Sequence, residues 1–251
     1  MSLKSYARQI LERVLDFYGY ALKEKDAPVR EPREFLAMMA RGGFAPKTVI
    51  DVGVGDGTPW LYEAFPSAHL VLVEANDDYR PALVEICRRH GGEYHILAAG
   101  AQSSTETLYV NRNFATSSGL AQLSEAYVRK LENNAIYRDL DPRKVSVRPL
   151  DSLLNEKMRA PFLLKLDVEG YESQVLDGAA QVLAHTEMII TEMSVLRRYR
   201  SEPRFAEFIA NLDSLGFEFF DVVGLAQTPR YVPHTDMDAV LGRRDSAPRG
   251  I

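Results

Sequence analysis

The chain has 251 residues, 46% of them hydrophobic and 26% charged, with a net charge of −5. That apolar content is enough for a sizeable α/β core, and the mild acidity offers no basic face for nucleic acid. The single cysteine, Cys87, excludes an internal disulfide and fits a reducing, cytoplasmic setting.

Residues 1–45 read as an N-terminal helical extension, broken at the charged, proline-bearing stretch Lys23–Pro32. Within it Tyr6, Ile10, Leu11, Val14, Leu15 and Tyr18 follow amphipathic helical spacing, not the continuous apolar run of a signal peptide. No stretch is apolar enough to span a bilayer. An alternation then begins. Thr48–Val52, Leu70–Glu74, Tyr94–Ala98, Phe162–Asp167 and Met188–Met193 read as strands. Helical spacing lies between them: one set at Leu83, Ile86 and Cys87, another from Val175 to Leu183, a third from Phe205 to Leu215. Cys87 is expected as a core thiol on the first of these faces. Phe217–Val223 and Ala239–Leu241, joined by a proline-bearing loop without helix spacing, predict a closing antiparallel hairpin. Apolar strands alternating with helices imply a doubly wound, mostly parallel seven-stranded sheet of Rossmann-like type over residues 46–243.

Asn111–Lys144 breaks the rhythm. It is polar and mixed, with one helix pattern at Leu123, Tyr127 and Leu131, between strand-like runs Thr107–Val110 and Val145–Val147. An insertion of this length predicts a cap or lid over a substrate; a surface excursion or a homodimer contact is the equal alternative. Asn113, Ser117 and Tyr127 are its candidate acceptor contacts. Residues 244–251 read as a disordered tail.

The first strand runs directly into Asp51-Val52-Gly53-Val54-Gly55-Asp56-Gly57, and Glu74 ends the next strand. Gly53, Gly55 and Gly57 permit a tight turn and close ligand approach, while an acid at the position of Glu74 accepts from two ribose hydroxyls. Asp51 is a further candidate cofactor contact, placed to help balance a cationic ligand. A carboxylate at Asp56 opposes the pyrophosphate that a G-x-G-x-x-G turn receives on a helix N-terminus, but tolerates a cationic sulfonium. S-adenosylmethionine is therefore favoured over NAD.

A second cluster follows the fourth strand: Asp167, Glu169 and Glu172 within six residues. Carboxylates at a strand end are where α/β enzymes hold catalysis, or else they cap helix amides. Catalysis is expected of Asp167 and Glu169, capping of Glu172. Asp167 is also placed against the cofactor, and Glu192 closes the fifth strand nearby.

Lys165-Leu166-Asp167-Val168-Glu169-Gly170-Tyr171-Glu172, continuing to Val175-Leu176-Asp177-Gly178-Ala179, resembles the FkbM family of methyltransferases. Leu150-Asp151-Ser152-Leu153-Leu154, Asp51-Val52-Gly53 and Glu192 match further family elements, and the resemblance spans roughly Thr48 to Leu215. The chain departs where the family commonly continues Ala-Asn-x-Gly, having Val54-Gly55-Asp56-Gly57 instead. The resemblance implies the class I methyltransferase fold, S-adenosylmethionine as donor, and O-methylation of a sugar or natural-product hydroxyl, glycan or polyketide.

A neutral hydroxyl needs a base, and Asp167, Glu169 and Glu192 are the candidates. A divalent metal on these oxygens is the alternative, not favoured; no histidine among His69, His90, His95, His185 and His234 has metal-ligand spacing. His234 is a candidate acceptor contact. Arg197, Arg198 and Arg200 read as a solvated basic face, Trp60 and Phe65 as core. A nicotinamide-dependent oxidoreductase lacks its Tyr/Lys spacing here, and a non-catalytic binding module would have no use for the acidic cluster.

Overall fold

The computed structural model describes residue 11, residues 31–112, 118–125, 127, 139–225 and 236–245. In chain order these give α1 (Pro32–Arg41), β1 (Thr48–Val52), α2 (Pro59–Ala64), β2 (His69–Glu74), α3 (Arg80–His90), β3 (Glu93–Ile96), β4 (Ala98–Ala99), β5 (Ser104–Asn111) and β6 (Leu140–Arg148). Then come β7 (Phe162–Leu166), α4 (Glu172–Asp177), α5 (Ala180–Ala184), β8 (Thr186–Ser194), α6 (Phe205–Ser214), β9 (Phe217–Leu225) and β10 (Asp236–Arg243). Among the described residues no helix is long and apolar enough to cross a membrane.

The main sheet has seven strands in the order β3-β2-β1-β7-β8-β10-β9. The pairs β1–β2, β2–β3, β1–β7 and β7–β8 are parallel. β10 runs antiparallel to both β8 and β9, so the closing hairpin lies where the sequence places it. β1 and β7 are buried throughout because helices cover both faces. On one face Ile50 and Val52 pack with Val175, Val182, Phe208 and Leu212 of α4, α5 and α6. On the other, Val49 packs with Phe35, Leu61, Tyr62 and Leu83 of α1, α2 and α3. Proline in the first turn of each of those three helices starts it where its missing N–H costs nothing.

Two expected elements divide. The third predicted strand breaks at Leu97, whose N–H donates to the Glu74 carbonyl; β4 then leaves the main sheet and pairs with β6. The helix expected from Val175 to Leu183 becomes α4 and α5. The second starts anew because the Asp151 carboxylate accepts the Gln181 and Val182 N–H groups.

The strand-like runs flanking the insertion pair with each other as β5 and β6, from Ser104↔Val147 to Asn111↔Leu140. This hairpin consumes both ends of the segment read as a cap. Leu123 is not helical but forms an antiparallel bridge with Tyr199, and Leu131 lies outside the described residues. Of the N-terminal extension Leu11 and residues 31–45, including α1, are described; residues 1–10 and 12–30 lie outside, as do 246–251 of the predicted tail.

Candidate active site

β1 leads to β2 and β3 on one side, and β7 to β8 on the other. Their boundary is the switch point of the sheet. A cavity of about 290 Å³ opens there, walled by the ends of β1, β2, β7 and β8, by Tyr79 and by Leu97–Ala99. Leu108 of β5 and residues Ser118, Gly119 and Leu120 of the insertion also line it, with Gly119 packed against Glu169.

Gly53, Gly55 and Gly57 all line this cavity. Gly53 has φ of 80°, and a Cβ there would lie 1.8 Å from the Asp167 carbonyl oxygen. Its smallness therefore lets the ends of β1 and β7 close on each other, beyond any service to a ligand. The Gly55 N–H donates to Glu74 Oε2 at 2.9 Å, and the Asn76 N–H to Oε1 at 2.7 Å. Glu74 is thus fixed on two backbone donors at the cavity edge, and burial raises its pKa.

Asp51 is 0% exposed and lies behind the cavity, not on its wall. The β1–β7 register sets it directly beside Lys165. Its Oδ2 accepts from Tyr62 Oη at 2.6 Å, and Oδ1 faces Lys165 Nζ at 3.4 Å. The expected direct contact with the cofactor becomes, in this geometry, a buried anchor for Lys165. Lys165 in turn donates to Asp167 Oδ2 at 3.2 Å and lines the cavity. Burial works against its charge, but Asp167 and Asp51 outweigh that and raise its pKa.

Asp167, Glu169 and Glu192 meet on one side of the cavity with Asp238. Glu169 has φ of 53°, a left-handed backbone rare outside glycine that costs about 1–3 kcal/mol. Tyr199 Oη donates to its Oε2 at 2.5 Å, and Arg198 Nη2 stands 3.4 Å from the same oxygen. Arg198 also donates to Glu192 at 3.0 Å and pairs with Asp236 at 2.8 Å. Burial pushes Glu169 up to about 7, against the pull of Arg198 and Tyr199. Burial, then Glu169 and Asp167, raise Glu192 well above the ordinary carboxylate range. Asp238 is raised by burial and by Asp167.

Glu172 takes the capping place expected of it: Oε1 accepts from the Val168 and Gly170 N–H groups and so shapes the turn after β7. Arg198 overturns its reading as a solvated face. It is 7% exposed, because the carboxylates of Glu169, Glu192 and Asp236 and the Tyr199 ring surround it, whereas Arg197 and Arg200 are exposed. Trp60 is half-buried and lines the cavity, while Phe65 is core as expected. Tyr127 is not on the cavity wall; its N–H donates to Ser124 Oγ. Asn113, Ser117 and His234 lie outside the described residues. Sequence reasoning missed Lys165, Tyr199, Asp236 and Asp238. A lysine inside the apolar run Leu163–Leu166 was a usable signal; Asp236 and Asp238 are brought in only by the antiparallel register of β8 and β10, and Tyr199 only by the turn after β8. Among the described residues no group of three or more His, Cys, Asp and Glu side chains is arranged to hold a metal ion.

Solved structures similar to this chain include the magnesium protoporphyrin IX methyltransferase of Synechocystis PCC 6803 with bound S-adenosylmethionine. It is 13% identical, over 97% of this chain and 98% of that one, with a TM-score of 0.44. An rRNA methylase of Streptococcus thermophilus is 11% identical, over 86% and 99%, at 0.45. The precorrin-6y C5,15-methyltransferase of Geobacter metallireducens GS-15 is 11% identical, over 91% and 96%, at 0.40. No curated protein matches the chain. The family model for the methyltransferase FkbM domain matches residues 51–219, which take in β2, β3, β7 and β8 with Asp167, Glu169, Glu172 and Glu192. The chain therefore belongs to the FkbM family of S-adenosylmethionine-dependent methyltransferases.

Proposed function

We propose that this methyltransferase acts on a hydroxyl oxygen of a sugar or natural product, glycan or polyketide, with Glu169 as proton acceptor. The observation that carries the reading is the convergence of Asp167, Glu169 and Glu192 on the cavity that Glu74 also lines. A neutral hydroxyl entering between them meets a carboxylate whose pKa of about 7 suits proton transfer near neutrality.

The cavity fits S-adenosylmethionine. Glu74 has lone pairs left for ribose hydroxyls after its two backbone donors, and Tyr79, Leu97 and Ala98 offer a surface for a flat base. The carboxylates of Asp56, Asp167 and Asp238 lining the cavity favour a cationic donor and would repel the pyrophosphate of a dinucleotide. When bound, the donor supplies an electrophilic methyl carbon. The protein holds the acceptor in line, excludes water and takes the hydroxyl proton at Glu169.

A divalent ion is not favoured. Of the carboxylates that would ligate it, Glu169 and Glu192 already lie on the Arg198 guanidinium and Asp167 pairs with Lys165. The insertion is proposed to face the acceptor, since Ser118–Leu120 lie on the cavity wall. Calorimetry with S-adenosylhomocysteine and with NAD, then a screen of hydroxylated glycans and polyketides with methyl-labelled donor, tests the reading. Binding of NAD alone, or donor binding without transfer to any acceptor oxygen, would overturn it.

A further inference from the structure

We propose that Tyr199 is a positioning residue for Glu169, and that the inserted segment holds Tyr199 in place. The inference rests on Glu169 being the proton acceptor. Two backbone hydrogen bonds join the insertion to the Arg198–Arg200 turn and together make one antiparallel bridge. The Ser124 N–H donates to the Arg198 carbonyl at 2.7 Å and the Arg200 N–H donates to the Gln122 carbonyl at 2.8 Å, which sets Leu123 opposite Tyr199. The backbone of Tyr199 is thus part of a short ladder with the insertion. Its side chain leaves that ladder for the active site and donates to Glu169 Oε2.

The seat of the ring is specific. Gly170 has φ of 86°, and a Cβ there would fall 2.2 Å from Tyr199 Cδ2, so the ring fills the space beside the residue that follows Glu169. The Tyr199 N–H is taken by Glu202 Oε2, which fixes the turn from the other side. Glu169 needs such support because its left-handed backbone persists only where neighbours hold it. The charged groups facing it are Asp167 from its own turn, Glu192 from β8, Arg198 from the following loop and Asp236 from β10. Tyr199 is the neutral donor among them. Its hydrogen bond favours the ionised carboxylate, the form able to take a proton. Acceptor contacts on the insertion would therefore reach the base through one phenol.

Tyr199→Phe keeps the ring over Gly170 and removes only the donor. The readout needs no acceptor: protein carrying 13C-carboxyl glutamate is titrated by NMR, and the Glu169 resonance is the one that Glu169→Gln removes. The midpoint of that resonance is expected to rise by about one pH unit in Tyr199→Phe, with S-adenosylhomocysteine affinity unchanged and the melting transition intact. Ser124→Pro, which withdraws one N–H from the ladder, is expected to move it the same way by less. A midpoint unmoved in both variants overturns the proposal. Should Glu169→Gln retain full transfer to an acceptor found in the screen, the base reading fails. A shifted midpoint would then still leave Tyr199 as the group that positions this carboxylate.

Discussion

Arg143 and Asn76, 67 residues apart in the chain, meet at 3.1 Å: Arg143 Nη1 donates to Asn76 Oδ1. The Asp78 N–H donates to the same oxygen at 3.2 Å, and the Asn76 N–H donates to Glu74 Oε1. An arginine on β6, an arm of the inserted hairpin, thereby steadies the loop that holds the Glu74 carboxylate. Arg143 also pairs with Asp78 at 2.7 Å. Arg143→Gln is expected to weaken S-adenosylhomocysteine binding by about 3–10-fold, the effect of one or two partly exposed hydrogen bonds. Unchanged affinity in calorimetry would mean that the loop holds Glu74 without the hairpin.

Glu74 itself should matter more. Glu74→Ala is expected to cost about 1–3 kcal/mol of S-adenosylhomocysteine binding, since charge-assisted bonds to the ligand are lost and two backbone donors are orphaned. Burial raises its pKa, so the parent should lose affinity on acidification at a higher pH than an ordinary carboxylate would. The variant should lack that acid-side loss. Parent and variant with superimposable affinity-versus-pH curves would remove Glu74 from the ribose.

The sheet was legible because its signals are local. Apolar runs such as Val49–Val52 and Leu163–Leu166 can be satisfied only by burial on both faces, and the glycines after β1 follow directly in sequence. The acidic turn after β7 was legible for the same reason. The other half of the site was not. Arg198 stands among three arginines that all look solvated, and only tertiary register brings Glu169, Glu192 and Asp236 to that one guanidinium. Asp51 was legible as important but not in its role. Nothing local says that its carboxylate turns away from the cavity toward Tyr62 and Lys165. The split of the Val175–Leu183 helix likewise depends on Asp151, a residue 30 positions earlier than the Gln181 amide it takes.

That cap gives a stability prediction separable from function. Asp151→Ala leaves the Gln181 and Val182 N–H groups without their acceptor and should cost about 0.5–2 kcal/mol. The melting temperature should fall by about 1–8 °C, given roughly 2–4 °C per kcal/mol in a chain of this size. Asp151 is not on the cavity wall, so S-adenosylhomocysteine affinity should be unaltered. A loss of affinity without a loss of stability would contradict a purely structural role.

Glu172 predicts how stability follows pH. Burial pushes its folded pKa up to about 8, above the ordinary glutamate value of about 4.3. The folded state holds this proton more tightly than the unfolded chain. Its stabilising contribution is therefore complete below about pH 4 and is lost as pH rises through about 8. Glu172→Gln keeps an oxygen for the Val168 and Gly170 N–H groups but has no proton to lose. Thermal melts from about pH 5 to 9 should show the parent losing stability more steeply than the variant. A residual slope is expected in both from Glu169, pushed up to about 7. Parallel curves would show that Glu172 does not titrate in this range.

The remaining prediction divides the labour between Asp167 and Glu169. The two acids flank Val168, and the left-handed turn at Glu169 leaves both on the wall of one cavity. Their surroundings differ. The Asp167 side chain is 42% exposed and shares Lys165 Nζ with the buried Asp51, so its charge is already compensated. Glu169 is enclosed, and like-charged Asp167 and Asp236 add to the effect of burial, setting its pKa near the working range of a base. Glu169→Gln should lower methyl transfer by about 10²–10⁴-fold, the span of a general-base effect. Asp167→Asn should lower it by about 10²-fold, since Lys165 then loses one of its two carboxylates and the cavity loses the charge facing a cationic donor. Both variants should fold, and Glu169→Gln should bind S-adenosylhomocysteine as the parent does. Parent-level turnover in Glu169→Gln together with a large loss in Asp167→Asn would exchange the roles. Chelator tests the remaining alternative. Activity that survives it leaves a carboxylate taking the proton directly, whereas activity restored only by added magnesium or calcium would mean that an ion displaces Arg198 from these oxygens during turnover.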